Sequence, residues 1–253
     1  MNSDKVLWIP IGKLTGTRQA RVLTYPRLDV KLEKLRIGEL AGLGVEKLGF
    51  SGRILIDGVP VLGKGCVGVV ANAIVGDELA ALKIRRVDAD RPSMQTEARL
   101  LRLANAVGVG PQLLSFSQNF LAMKLFQGLP LFRWAETSKS RARVRDVLAE
   151  LLQTCFKLDA IGLDHGELSH APRNVLVSQV DEPCVVDFES ASTTRRVANV
   201  TSLLQYFLFG DIARRLQTPK LFTKRREVVK SLGEYKREIS VENFQTILGI
   251  LRL

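Results

Sequence analysis

Glu167, Asn174 and Asp187 are three oxygen-bearing side chains close enough in the chain to serve one ion or one proton. They flank two short apolar runs, Val175 to Val177 and Cys184 to Val186, separated by a turn around Asp181-Glu182-Pro183. Two apolar runs about such a turn predict a hairpin, which sets the residue before its first strand beside the residue after its second. Glu167, Asn174 and Asp187 are therefore expected to gather at one end. Two carboxylates and an amide oxygen suit Mg²⁺, because hard divalent cations take oxygen ligands and leave places for phosphate oxygens, with one carboxylate near as a base.

A second set lies upstream. Gly63, Gly65, Gly68 and Val70 form a G-x-G-x-x-G-x-V pattern. A dinucleotide-binding loop must open a helix, but here Val69 to Val75 reads as a strand ending at Gly76-Asp77. That excludes the dinucleotide reading and leaves either a structural glycine hairpin or a loop that covers phosphates. Fifteen residues past Gly68, Lys83 ends the run Ala80-Ala81-Leu82-Lys83. Ala81, two places back, shares the lysine's face and leaves room for a flat base. An edge-strand lysine would look the same. The helix that follows offers one acid, Glu97, as the partner a buried lysine needs; a simple surface acid could occupy that place too.

Changes in periodicity give the elements that must position these groups. Residues 1–52 read as an N-terminal extension of unknown role, with strands at Val6 to Ile11 and Ala20 to Tyr25 and a helix from about Leu28 to Leu43. Residues 53–127 read as antiparallel strands with one inserted helix, capped by Ser93 and running to about Asn105. Residues 128–253 read as mainly helical, with helices at Arg141 to Leu158 and Asn199 to Phe209 and two basic helices near the end. The expected class is α+β.

Composition narrows the function. The chain has 253 residues, 46% apolar and 25% charged, enough for a sizeable core and unlike a disordered protein. No apolar run approaches the ~18 residues of a membrane span, and the run beside Asp4 and Lys5 is too short for a signal peptide, so a cytoplasmic protein without membrane contact is expected. Cys66, Cys155 and Cys184 lie far apart and are odd in number, unsuited to a disulfide framework. His165 and His170 are too few for a histidine-rich metal site, and His165 is expected to be a buried hydrogen-bonding residue. The net charge of +11 favours a polyanionic partner. Between Asp211 and Arg237 nine basic residues face three acids, and Arg133 to Arg145 is also basic. Solvated helix faces give the same pattern.

Taken in order, G-x-G-x-x-G-x-V, A-A-L-K, a helix Glu, H-G-E-L with N-V-L-V, and V-V-D-F resemble the protein-kinase fold. The resemblance is nearest to small atypical kinases, such as the RIO family and the archaeal kinase associated with tRNA-modification machinery, and covers about residues 60–205. It implies a bilobal fold with an antiparallel N-lobe over 53–127 and a reduced helical C-lobe over 128–253. It also implies ATP and Mg²⁺ as cofactors. Gly63, Gly65 and Gly68 would cover the phosphates, Val70 and Ala81 would enclose adenine, and Lys83, held by Glu97, would contact the α/β-phosphates. Met123 to Phe126, Leu125 included, would be the hinge that meets the base. Asn174 and Asp187 would bind metal, and Glu167 would orient or deprotonate the acceptor. Glu167 stands where the family has Asp, Asn174 follows it by seven residues rather than five, Glu189 replaces the Gly after Asp187-Phe188, and no A-P-E follows. The activity implied is transfer of the γ-phosphoryl group to a Ser/Thr hydroxyl of a protein, this chain itself included, or to water. A second reading is a nucleotide-binding scaffold that docks RNA, a ribonucleoprotein or a protein partner through its basic C-terminal tract with little turnover.

Overall fold

Strands from both ends of the first half of the chain form one antiparallel sheet. The computed structural model describes residues 6–138, 140–210, 213 and 224–253. The sheet contains β1 (Leu7–Pro10), β2 (Val45–Phe50), β6 (Gly68–Val75), β7 (Glu78–Arg85), β9 (Phe120–Lys124) and β8 (Leu113–Phe116), in that spatial order, while β5 (Gly63–Lys64) pairs with β6. A separate hairpin joins β3 (Ile54–Ile56) and β4 (Val59–Val61). The chain divides into two compact units, one ending at Arg99 and including Gln112–Leu125, the other comprising Leu100–Pro111 and Phe126–Leu253. The division falls inside helix α2 (Gln95–Ala106).

Register sorts the side chains of the sheet. Val70 pairs with Lys83 and Lys83 with Leu121, while Asn72 pairs with Ala81 and Ala81 with Met123. Directly paired residues share a face, so Val70, Asn72, Ala81, Lys83 and Met123 lie together. Against this face pack Met94 and Ala98, with Val67 and Leu121 completing the cluster. The alternate residues, Val69, Ala71, Ala73, Ala80, Leu82 and Ile84, are buried in the main core of the unit. Partners for that core come from Leu14, Ala20, Val22 and Leu23, from Leu40 on α1 (Val30–Gly42), and from Ile56, Val59 and Val61.

The stretch expected to be an extension, residues 1–52, thus supplies two strands of the sheet and part of the cover of its apolar face. One expected strand is replaced. Ala20 to Tyr25 lies largely in a 3-10 helix, Gln19–Leu23. The alternation of Ala20, Arg21 and Val22 imitates a strand, but in a 3-10 helix residues three apart eclipse, and this places Ala20 and Leu23 together in the core.

The second unit is mostly helical. Helix α3 (Leu131–Thr137) precedes α4 (Arg141–Ala160), whose N-terminus is capped by the Ser140 hydroxyl accepting from the Arg143 N–H. Val144, Val147, Leu148, Leu151, Leu152, Cys155 and Leu158 on α4 form its buried stripe, at the spacing of one helix face. The short turn α5 (Ala171–Asn174) leads into a three-stranded sheet of β10 (Leu129–Pro130), β11 (Val175–Val177) and β12 (Pro183–Val185). Then come α6 (Asn199–Phe209), α7 (Arg225–Arg237) and α8 (Val241–Leu251). Phe156 stacks on Phe244 at 4.4 Å, tying α4 to α8.

Of the expected basic tract, Arg214, Arg215 and Lys220 lie outside the described residues. Lys224 to Arg237 are described, and α7 is the basic helix expected there. Helix α8 is not basic; its one charged residue is Glu242, and it buries Phe244, Ile247, Leu248 and Leu251. The α+β class with antiparallel sheets holds, and no helix among the described residues is long and apolar enough to cross a membrane.

Candidate functional site

In the first unit Lys83 lies at the centre. Its Nζ is 2.9 Å from both carboxylate oxygens of Glu97, and both residues are buried, at 6% and 4% exposure. Strand β7 aims the lysine off the face that α2 covers, and Glu97 in the first turn of α2 meets it. A buried pair of this kind is costly to break, because removing either member strands a charge away from water.

The glycine loop stands over this pair. A Cβ on Gly68 would be 2.9 Å from Lys83 Cγ and 3.2 Å from the Ile84 carbonyl, so only glycine lets β6 approach the lysine this closely. Gly63 and Gly65 are different: their nearest neighbours would be 3.5 and 3.7 Å from a Cβ, which is ordinary contact. Internal packing therefore does not demand glycine at those two positions. The loop is closed by the Gly65 N–H donating to the Gly68 carbonyl at 2.8 Å. Arg86 fixes it further, donating its guanidinium to the Gly65 carbonyl at 2.9 Å and its N–H to Val67 at 2.8 Å. Tyr25 sits under both Lys64 and Arg86, at 4.7 and 5.2 Å. Cys66, at the loop tip, is exposed and unpaired to another cysteine.

Ala81 lies on the lysine's face as expected, and the register places Val70, Met123 and Asn72 there too. Asn72 is buried and donates to the Ser51 hydroxyl at 3.0 Å. The stretch Met123 to Phe126 is more committed than expected: the Lys124 N–H goes to Gln112 and the Leu125 N–H to Leu79. A base could meet only the other polar groups of that segment.

In the second unit the hairpin gathers the acidic set. Val175 pairs with Val185, and the Val186 N–H donates to the Asn174 carbonyl at 2.9 Å, so Asn174 and Asp187 emerge at one end. The Asn174 amide nitrogen donates to one Glu167 oxygen at 3.0 Å, which leaves the Asn174 amide oxygen for another partner. The Ser190 hydroxyl donates to the other Glu167 oxygen. Between Glu167 and Asn174 the chain forms a 3-10 turn, Leu168–His170, and then α5. The seven-residue interval from Glu167 to Asn174 is taken up in these turns, and Asn174 still returns to Glu167.

Asp187 is exposed and has φ of 67° and ψ of 75°, the left-handed region that few residues other than glycine adopt. This bend turns the chain from β12 into the 3-10 helix Phe188–Ser190 and buries Phe188. The Phe188 ring meets His165 edge-on at 5.1 Å. Gly110 makes room for it, since a Cβ there would lie 2.8 Å from the ring and 3.2 Å from Leu101. At the other end of the hairpin Asp181 accepts from Trp134 Nε1 at 2.8 Å and from Arg143 Nε at 2.5 Å. The Arg143 guanidinium holds the Asp181 carboxyl below its ordinary range.

A buried polar network holds the chain before Glu167. The His165 N–H donates to the Asn199 amide oxygen at 2.8 Å, and the Asn199 amide nitrogen donates to the Leu163 carbonyl and to Asp159, both at 2.8 Å. Asp159 also accepts from the backbone N–H groups of Asn199 and Val200 and from the Tyr235 hydroxyl at 2.9 Å. Burial pushes the Asp159 carboxyl up, with its hydrogen bonds opposing that shift, and burial beside this carboxylate pushes the Tyr235 phenol up too. Burial lowers the His165 pKa; one ring nitrogen, Nε2, lies 3.1 Å from the Val186 carbonyl and the other, Nδ1, has no partner. Arg195 is engaged internally, with Nε 2.5 Å from Asp164 and Nη2 2.8 Å from the Ser190 carbonyl.

Sequence reasoning missed Asn72, Asp159, Asn199, Tyr235 and Ser190. Asp159 and Asn199 are the extreme cases: each is polar on an otherwise apolar helix stripe, and that break in the pattern is the only local signal. No protein-family model matches the chain, and no similarity to a curated protein is detected.

Proposed function

We propose that the chain is an ATP-dependent phosphotransferase of the atypical protein-kinase type, with a bilobal arrangement of the two units. On this reading Val70, Ala81, Met123 and Leu125 bind adenine, Gly63, Gly65 and Gly68 enclose the phosphates, and Lys83, braced by Glu97, neutralises them. The donor set of Asn174 and Asp187, an amide oxygen and a carboxylate, fits Mg²⁺, which in that position would offset the charge of the β- and γ-phosphates. Glu167 orients a Ser/Thr hydroxyl and takes its proton. The contribution of the protein is then mainly positioning and charge compensation.

The observation that carries the reading is the buried pair of Lys83 and Glu97 packed against Gly68. A lysine buried on the sheet face that α2 covers, with a bidentate carboxylate and a glycine that lets the loop descend on it, is an arrangement suited to phosphate oxygens. The test is incubation of the full chain with γ-labelled ATP and Mg²⁺. Label on protein, or free phosphate released above background, supports the proposal. Binding of Mg-ATP with neither product would point to the scaffold reading, and absence of binding would contradict both.

A further inference from the structure

We infer that Ser190 is an acceptor of the γ-phosphoryl group within this chain, an inference that rests on the phosphotransferase reading above. The Ser190 hydroxyl donates to a Glu167 oxygen, and Glu167 is the carboxylate assigned to the acceptor proton. Ser190 thus already makes the hydrogen bond that an acceptor hydroxyl must make before transfer. It is three residues beyond Asp187, in the 3-10 turn that the left-handed Asp187 begins, and it is only partly buried. The neighbouring hydroxyls differ: those of Ser192 and Thr194 lie 3.1 Å from each other, and the Ser192 oxygen also accepts from the Thr194 and Arg195 N–H groups.

In the step inferred, the Ser190 oxygen forms a bond to the γ-phosphorus as its proton passes to Glu167. The bond from the γ-phosphorus to the oxygen bridging it to the β-phosphate breaks, and that oxygen keeps the electron pair and leaves with ADP. The product adds a charge of about −1.5 to −2 beside a carboxylate, which repels it. Arg195 provides the counter-charge. Its Nη2 is 2.8 Å from the Ser190 carbonyl and its side chain is 48% exposed, so the guanidinium can pair with a phosphate on Ser190 as well as with Asp164.

The experiment uses the purified full chain with Mg-ATP. Intact mass and fragment mapping locate any phosphate, and a titration measures Mg-ATP binding in the same samples. The expected result is phosphoserine at residue 190, formed at a first-order rate that does not change with protein concentration, as transfer within one molecule requires. Ser190→Ala should lose this phosphate, and Ser190→Thr, which keeps a hydroxyl, should carry phosphothreonine in its place; the latter with wild type decides the matter if the alanine variant does not fold. ATP turnover or phosphate at other residues, with residue 190 unmodified, would overturn the inference and leave the phosphotransferase reading standing. Failure to bind Mg-ATP would overturn both.

Discussion

Lys83 and Glu97 are set by a strand and a helix, whereas Glu167, Asn174 and Asp187 are set by turns and by a buried network. In the first unit the register of β6, β7 and β9 decides which side chains share the lysine's face, and a close contact at Gly68 decides how near the loop comes. Few polar side chains are needed. In the second unit the site residues occupy 3-10 turns, one turn of helix and the end of a two-strand hairpin, none of which holds its shape alone. Their stability is borrowed from Asp159, Asn199 and Tyr235, residues as much as 76 positions apart in the chain. The first region is built to resist displacement of one cation, and the second depends on hydrogen bonds that any one deletion can unmake.

Removing Asp159 should bring out this difference most strongly. Asp159→Ala removes one of the two acceptors of the Asn199 amide nitrogen and leaves two backbone N–H groups and the Tyr235 hydroxyl without their acceptor. Loss of a buried, multiply bonded carboxylate should cost about 3–5 kcal/mol in denaturant unfolding of the second unit. A loss near zero would mean that the network does not hold the turns.

Glu167→Ala should act on turnover alone. Its carboxylate accepts from the Ser190 hydroxyl and from the Asn174 amide nitrogen rather than engaging the amide oxygen assigned to Mg²⁺, so Mg-ATP affinity should stay nearly unchanged while turnover falls by about 10²-fold or more. Turnover equal to wild type would remove Glu167 from the reaction.

The steric contrast between two glycines sharpens the account of the first unit. Gly68→Ala forces a Cβ against Lys83 and the Ile84 backbone, and should cost about 1–3 kcal/mol and weaken Mg-ATP binding. Gly65→Ala meets nothing closer than 3.7 Å and should change stability by no more than about 0.5 kcal/mol. Equal losses from calorimetry of the two variants would break the distinction.

The smallest effect concerns pH. Burial lowers the His165 pKa below its ordinary value of 6.5, so the folded protein holds fewer protons there than the unfolded chain. The stability this histidine contributes is present above that ordinary value and is lost as pH falls from it toward the lowered one, by at most about 1.4 kcal/mol per pH unit. Denaturant midpoints measured at neutral and mildly acidic pH should show this slope, and His165→Gln should flatten it.

The same contrast explains what was legible in the sequence. Alternation along β6 and β7 placed Ala81 and Lys83 on one face, and the helix after β7 offered a single acid near its start, so the pair could be named from local pattern. The hairpin that joins Asn174 to Asp187 was legible for a similar reason: two apolar runs around a turn have one economical pairing. The network under it was not. Nothing near Asp159 in sequence signals that Asn199 and Tyr235 will meet it, because that contact exists only after α4, α6 and α7 have packed. The cover over the apolar face of the sheet was also hidden, since the 3-10 helix Gln19–Leu23 carries a strand-like alternation. The glycine pattern gave three positions of equal rank, and only the packing separates Gly68 from Gly63 and Gly65.

Comparison of wild type with Lys83→Ala and Asp187→Ala, each titrated with Mg-ATP and assayed with γ-labelled ATP, tests the central claim most directly. One variant acts on the strand-held set and the other on the turn-held set. The account predicts phosphoryl transfer or phosphate release by the wild type and a loss of about 10²-fold or more in each variant, with the Asp187→Ala defect expressed through Mg²⁺ dependence. A wild type that binds no Mg-ATP, or either variant at full activity, would contradict it.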